Sequence, residues 1–127
     1  MDNIDVEYAK SKNINVINTP AASSKSVAEL VFSHLFGCVR FLHESNRSMP
    51  LDGDSKFKEL KKSYAGGREL AGKKIGIIGF GRIGQEVAKI AIGIGMEVVF
   101  HDKFIDEVSL EIEFFDGQNI SFNMTSS

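Results

Sequence analysis

The spacing of hydrophobic residues changes period several times along this chain, and each change marks an element. After Asp5, a good helix N-cap, VEYAKSK predicts a short helix ending near Asn13. INVIN, residues 14–18, alternates β-branched and polar positions and predicts a strand. Thr19-Pro20 stops it, because proline cannot donate to a sheet ladder. Ser23, Ser24 and Ser26 offer caps for a helix running to about Ser48, with Val27, Val31, Leu35, Val39 and Leu42 at helical spacing. Ala28, Phe32, Phe36 and Cys38 widen that apolar face, so most of the circumference should be covered by protein. A helix of that length spans roughly 36 Å, the width of a small domain. It reads as an element between domains or subunits.

Residues 43–72 are polar. Pro50 and the DGD of 52–54 predict a turn, followed by a small helix with Phe57, Leu60 and Tyr64 on one side. Lys56, Lys58, Lys61 and Lys62 surround it and read as a solvated face, against the sharper reading that one reaches an anionic substrate in a neighbouring subunit. A calcium loop at DGDS fails, because Phe57 and Ser63 stand where the glycine and the final glutamate are needed. From 73 to 102 the pattern is strand, turn, helix, strand. KKIGII is short and β-branched, Ile83, Val87, Ile90, Ala91 and Ile94 share a helix face that Gly95 ends, and EVVFHD is a second strand. That is one βαβ unit with parallel strands. The tail then alternates in LEIEFF, turns at Asp116-Gly117 and returns in NISFN, which predicts a hairpin over 108–124.

Composition narrows the function. A chain of 127 residues with 43% hydrophobic and 25% charged residues suits one soluble domain, and a net charge of −2 argues against nucleic acid as a partner. No apolar run is long enough to span a bilayer, and the acidic opening MDNIDVEYAK lacks a signal-peptide core, so a cytoplasmic location is expected. The one cysteine, Cys38, fits a reducing compartment and reads as a packed core thiol rather than a nucleophile. His34, His43 and His101 have no metal-site spacing and read as structural.

GFGRIG, residues 79–84, carries the chemistry. The glycine pattern is weak alone, but here it follows a predicted strand, opens a predicted helix and has Asp102 closing the next strand. Gly79 permits the tight turn, Gly81 lets a pyrophosphate approach the backbone, and Gly84 lets the helix pack closely on the sheet. N–H groups near Arg82 and Ile83, at the positive end of the helix, would meet the phosphate charge. Asp102 would accept from the adenosine ribose hydroxyls and repel a 2′-phosphate, favouring NAD over NADP. The Arg82 side chain either touches phosphate or is solvated.

From INVINTP through SVAEL, and from ELAGKKIGIIGFGRIG to HD, the chain resembles the D-isomer-specific 2-hydroxyacid dehydrogenases, roughly over residues 1–104. The resemblance implies an α/β fold: a partial Rossmann-type nucleotide-binding domain with one βαβ unit, a long interdomain helix and a terminal β-hairpin. Residues 1–20 would end a substrate-domain segment and 21–127 would form part of the NAD-binding domain, with 108–124 a subgroup insertion. It implies NAD contacts at Gly79, Gly81, Arg82, Ile83, Gly84 and Asp102, a substrate contact at Asn3, and Val27 or Ser23 lining the cofactor cleft. The family also needs an arginine for the substrate carboxylate, a histidine for proton transfer and a glutamate beside it. All three are expected beyond this stretch, and none of the three histidines stands in. The expectation is therefore a piece of an oxidoreductase acting on a small 2-hydroxy or 2-oxo acid, 3-phosphoglycerate first among them, with a homodimer or higher oligomer formed through the long helix. The alternative is a non-catalytic nucleotide-binding or pairing remnant. A different NAD-binding family with a similar βαβ unit is a third reading, disfavoured by NTP and SVAEL.

Overall fold

The computed structural model describes residues 3–127. Helix α1 (Val6–Ser11) begins where the Asp5 carboxylate accepts from the Tyr8 N–H at 2.9 Å, as the capping pattern requires. Residues 14–18 form no strand. A strand needs a neighbour, and among the described residues none lies beside them, so Ile14 and Ile17 remain exposed.

Helix α2 (Ser24–Val39) is shorter than its apolar pattern suggests. The Val39 carbonyl accepts from the Arg68 N–H at 2.9 Å, and Phe41 takes a left-handed conformation, φ 55°, that breaks the helix. Only a stripe is buried, Ser24, Ala28 and Phe32, with Leu35 and Val39 packed beside it; Leu30, Val31, Phe36 and Cys38 are exposed. Cys38 is therefore not a core thiol. The stripe facing helix α4 is set by Ala28, whose small side chain permits close approach, and it leaves Cys38 on the solvent side.

Helix α3 (Leu42–Tyr64) runs through Pro50 and residues 52–54, where a turn was expected. The break falls at Lys56, with φ −121° and ψ 21°. Ser48 and Tyr64 share a hydroxyl–hydroxyl hydrogen bond, although a straight helix would hold them about 24 Å apart. The segment thus doubles back at Lys56, and the small helix carrying Phe57, Leu60 and Tyr64 is its returning arm. No residue of α3 is buried, and its lysines face solvent.

Strand β1 (Lys74–Ile78), helix α4 (Arg82–Gly93) and strand β2 (Glu97–His101) form the βαβ unit, with the strands parallel and Ile75 opposite Val98, Ile77 opposite Phe100. Strands β3 (Glu107–Glu113) and β4 (Asn119–Thr125) form the antiparallel hairpin, with Leu110 opposite Phe122. Helix α4 is packed on two sides. Ala28, Phe32, Leu70, Val87, Ala91 and Met96 join it to α2, while Phe80, Ala88, Phe100 and Leu110 join it to the hairpin. Among the described residues, nothing pairs with the outer margin of β1. Lys73 and Gly79 turn their backbone groups to β2, so by the two-residue repeat Lys74, Gly76 and Ile78 turn theirs away, and Ile78 is 93% exposed.

Candidate functional site

The turn between β1 and α4 is built by three glycines, each for its own reason. Gly79 lies at φ 89°, a region that penalises any Cβ, and its N–H donates to the His101 carbonyl at 2.8 Å. A Cβ on Gly84 would collide with the Gly79 carbonyl oxygen, so α4 can sit against the turn only through glycine. Gly81 is different. It has an ordinary backbone, φ −68°, and a Cβ there would meet nothing within 4 Å. Among the described residues nothing packs over the backbone at 81, so a ligand could lie against it, and the N-cap position itself also favours glycine.

Between them, Phe80 points inward. It is fully buried and stacks on Phe100 with ring centroids 3.9 Å apart. The Phe80 carbonyl accepts from Gln85 Nε2 at 3.0 Å, which pins the turn to the first coil of α4. That helix starts at Gly81 without a side-chain cap, leaving its leading N–H groups directed outward with the positive end of the helix dipole.

An open cavity of about 420 Å³ lies over this start, lined by Pro20, Ser24, Gly79, Gly81, Arg82, Ile83 and Gly84. The segment before α2 and the first residue of that helix reach the glycine turn, through Pro20 and Ser24; Ser23 and Val27 are not in the lining. Asn3 sits in an exposed turn ahead of α1 and does not line it either. Arg82 is exposed, and Ile83 is 44% exposed. A larger concavity, about 790 Å³, lies between α2, α4 and the hairpin. Glu29, Glu86, Glu111 and Glu113 wall it, a poor setting for a phosphate despite Lys25 and Lys89, so size does not select it.

Asp102 follows β2. One carboxylate oxygen accepts from the Phe80 N–H at 2.6 Å; the other accepts from Phe104 N–H at 2.7 Å and Ile105 N–H at 3.1 Å. The Phe104 donor foremost, with Phe80 and Ile105, holds the carboxyl below its ordinary pKa, against an opposing effect of burial. An ionised carboxylate has about four lone-pair sites, so the oxygen bonded only to Phe80 can still accept one hydroxyl donor. Behind Asp102, Ser126 Oγ accepts from its N–H at 3.4 Å, and His101 Nδ1 lies 2.8 Å from the Ser127 carbonyl. The hairpin's last residues thus lie along β2. His34, His43 and His101 are exposed, none lines the glycine cavity, and no His/Cys/Asp/Glu group among the described residues could hold a metal ion.

The sequence reading missed Phe80, Phe104 and Ile105 as partners of Asp102. Only Phe80 left a signal, a large apolar residue between two glycines; the other two act through backbone N–H groups that any residue supplies.

Residues 32–123 match the family described as D-isomer specific 2-hydroxyacid dehydrogenase, NAD binding domain, and the chain belongs to that family. It is 45% identical over 116 residues to the hydroxypyruvate reductase of Thermotoga maritima, covering 91% of this chain and 36% of that protein. To the D-3-phosphoglycerate dehydrogenase of Methanocaldococcus jannaschii it is 40% identical over 122 residues, covering 94% and 22%. Its fold is similar to the crystal structure of an NAD-dependent formate dehydrogenase from Staphylococcus aureus in complex with NAD, with TM-score 0.59 and 29% identity over 82% of this chain and 30% of that one. The chain spans about a third or less of the length of these proteins. NAD is the cofactor of this domain family. No helix of the described residues is long and apolar enough to cross a membrane.

Proposed function

We propose that residues 79–84 and Asp102 hold the pyrophosphate and adenosine ribose of NAD, as the nucleotide-binding part of an enzyme acting on a small 2-hydroxy acid. The observation that carries this is Gly81: it borders an uncapped helix start and an open cavity, so a ligand can lie directly against the backbone there. Gly79 sets the turn, Gly84 brings the helix in, and the N–H groups at Arg82 and Ile83 face the phosphate charge. NAD, when bound, supplies the hydride acceptor. Asp102 favours NAD over its 2′-phosphorylated form by charge repulsion.

In this reading residues 1–20 belong to a substrate-domain segment, where Asn3 meets substrate, and residues 21–127 to the nucleotide domain, with 108–124 as an added hairpin. Our choice of substrate is 3-phosphoglycerate, supported by the likeness to the phosphoglycerate dehydrogenase; hydroxypyruvate is the competitor, named by the 45% identical relative. Carboxylate recognition and proton transfer are assigned to groups outside these 127 residues, so the chain alone transfers no hydride. The second reading, a nucleotide-binding or pairing remnant, is favoured by the exposed Leu30, Val31 and Phe36 on α2, which suit a homodimer or higher oligomer.

A fluorescence titration with NADH tests the main reading. Micromolar to millimolar binding is expected, weakened by Asp102→Ala. A folded sample that binds no NADH overturns it. Sedimentation tests pairing, which a stable monomer excludes.

A further inference from the structure

We propose that Asp102 is a positioning residue: its carboxylate latches the glycine turn to the segment after β2 and thereby sets the phosphate-facing N–H groups before any ligand arrives. This goes beyond a ribose contact, and its phosphate consequence rests on the function proposed above; the latch itself does not.

The geometry is that of a bridge between two loops. Phe80 N–H, inside GFGRIG, reaches one oxygen of Asp102 at 2.6 Å, while Phe104 and Ile105, beyond β2, donate to the other. Both ends of the bridge are anchored. Phe80 stacks on Phe100 in the core, and Ile105 packs against the same cluster. Gly79 is held to His101 through its own N–H, so the turn is tied to the end of β2 at two successive residues. The Phe80 N–H is therefore spent inward, and Gly81, one residue later, leads the outward-facing donors. Charge-assisted bonds of this length are the stronger kind. A carboxylate suits the task because it takes donors from two directions at once, which an amide cannot match: its nitrogen would face one of those N–H groups.

The two roles for Asp102 predict opposite signs with a ligand that has no ribose. Inorganic pyrophosphate is that probe. Removing a negative charge near the site tightens binding of an anion if Asp102 only touches ribose. Losing the latch loosens it. For Asp102→Asn in the 127-residue chain, calorimetry is expected to show pyrophosphate binding weakened roughly ten-fold. Unchanged or tighter binding overturns the proposal. Amide hydrogen exchange on the ligand-free protein gives the second readout, independent of any nucleotide. The Phe80 and Phe104 amides are expected to be protected in the wild type and to lose protection in Asp102→Asn, while Ile77 in β1 keeps its own; equal loss at Ile77 means general destabilisation and counts against the latch. If the wild type binds neither NADH nor pyrophosphate, the proposed function fails, and the exchange result still decides the latch. If Asp102→Asn does not fold, acid titration of the wild type decides it. Phe80 and Phe104 amide shifts moving with one shared midpoint support the latch; independent movement overturns it.

Discussion

The glycines of one short turn carry different loads, and substitution separates them. Gly84→Ala places a Cβ against the Gly79 carbonyl and should cost about 1–3 kcal/mol, read as a lower urea midpoint. Gly81→Ala meets open space, so stability should stay within about 1 kcal/mol. NADH binding should nonetheless fall roughly ten-fold, equal to about 1.4 kcal/mol. A Gly81→Ala protein that binds as well as the parent removes the main support for a phosphate at this turn. Asp102 adds a dependence on pH. The fold lowers its pKa, so the stabilisation it contributes is fully present above the ordinary aspartate value, about 4, and is lost as pH falls through the lower folded value. The urea midpoint of the wild type should therefore drop more between pH 5 and pH 3 than that of Asp102→Asn, which has no carboxyl to protonate; parallel curves would contradict this.

Among the elements, those fixed by local rules were legible in advance. Asp5 capping α1, the strand–turn–helix at 73–93, Gly95 at its end and the Asp116-Gly117 hairpin all follow from backbone preference or short-range pattern. Residues 14–18 alternate like a strand yet form none, because a strand depends on a partner that periodicity does not reveal. The apolar repeat from Ser24 continues across Phe41, whereas helix α2 ends at Val39, whose carbonyl accepts from the distant Arg68 N–H, a partner no local pattern reveals. Of the candidate site, the glycine turn and the place of Asp102 at the end of β2 are legible in the sequence, whereas the bonds joining them to Phe104 and Ile105 run through anonymous backbone groups. The doubled-back α3 is the least local element, and Ser48 and Tyr64 bond across it, with the Tyr64 ring tilted against Phe41. Tyr64→Phe should cost about 0.5–1.5 kcal/mol. It should speed amide exchange in residues 57–64 while leaving α4 unaffected, and uniform acceleration would show that the arm is not an independent unit.

For the whole molecule, the hairpin is part of the core rather than an appendage. Leu110 is 1% exposed and shares a cluster with Phe80, the residue that seats the glycine turn. Leu110→Ala should therefore cost about 2–5 kcal/mol and weaken NADH binding as well, measured by thermal melts with and without NADH. A variant that melts like the parent would mean the hairpin is held by something else. The unpaired margin of β1 has a different kind of effect, on how the protein behaves as a colloid. Its free backbone groups, flanked by the bare Ile78 side chain, form a template onto which more chain can add, and the only charge along it, Lys74, is tied to Glu97 at 2.9 Å. Concentrated stocks should thus turn cloudy with time, and salt, by screening what little repulsion the margin offers, should bring the haze on sooner. Ile78→Lys should keep the same stock clear.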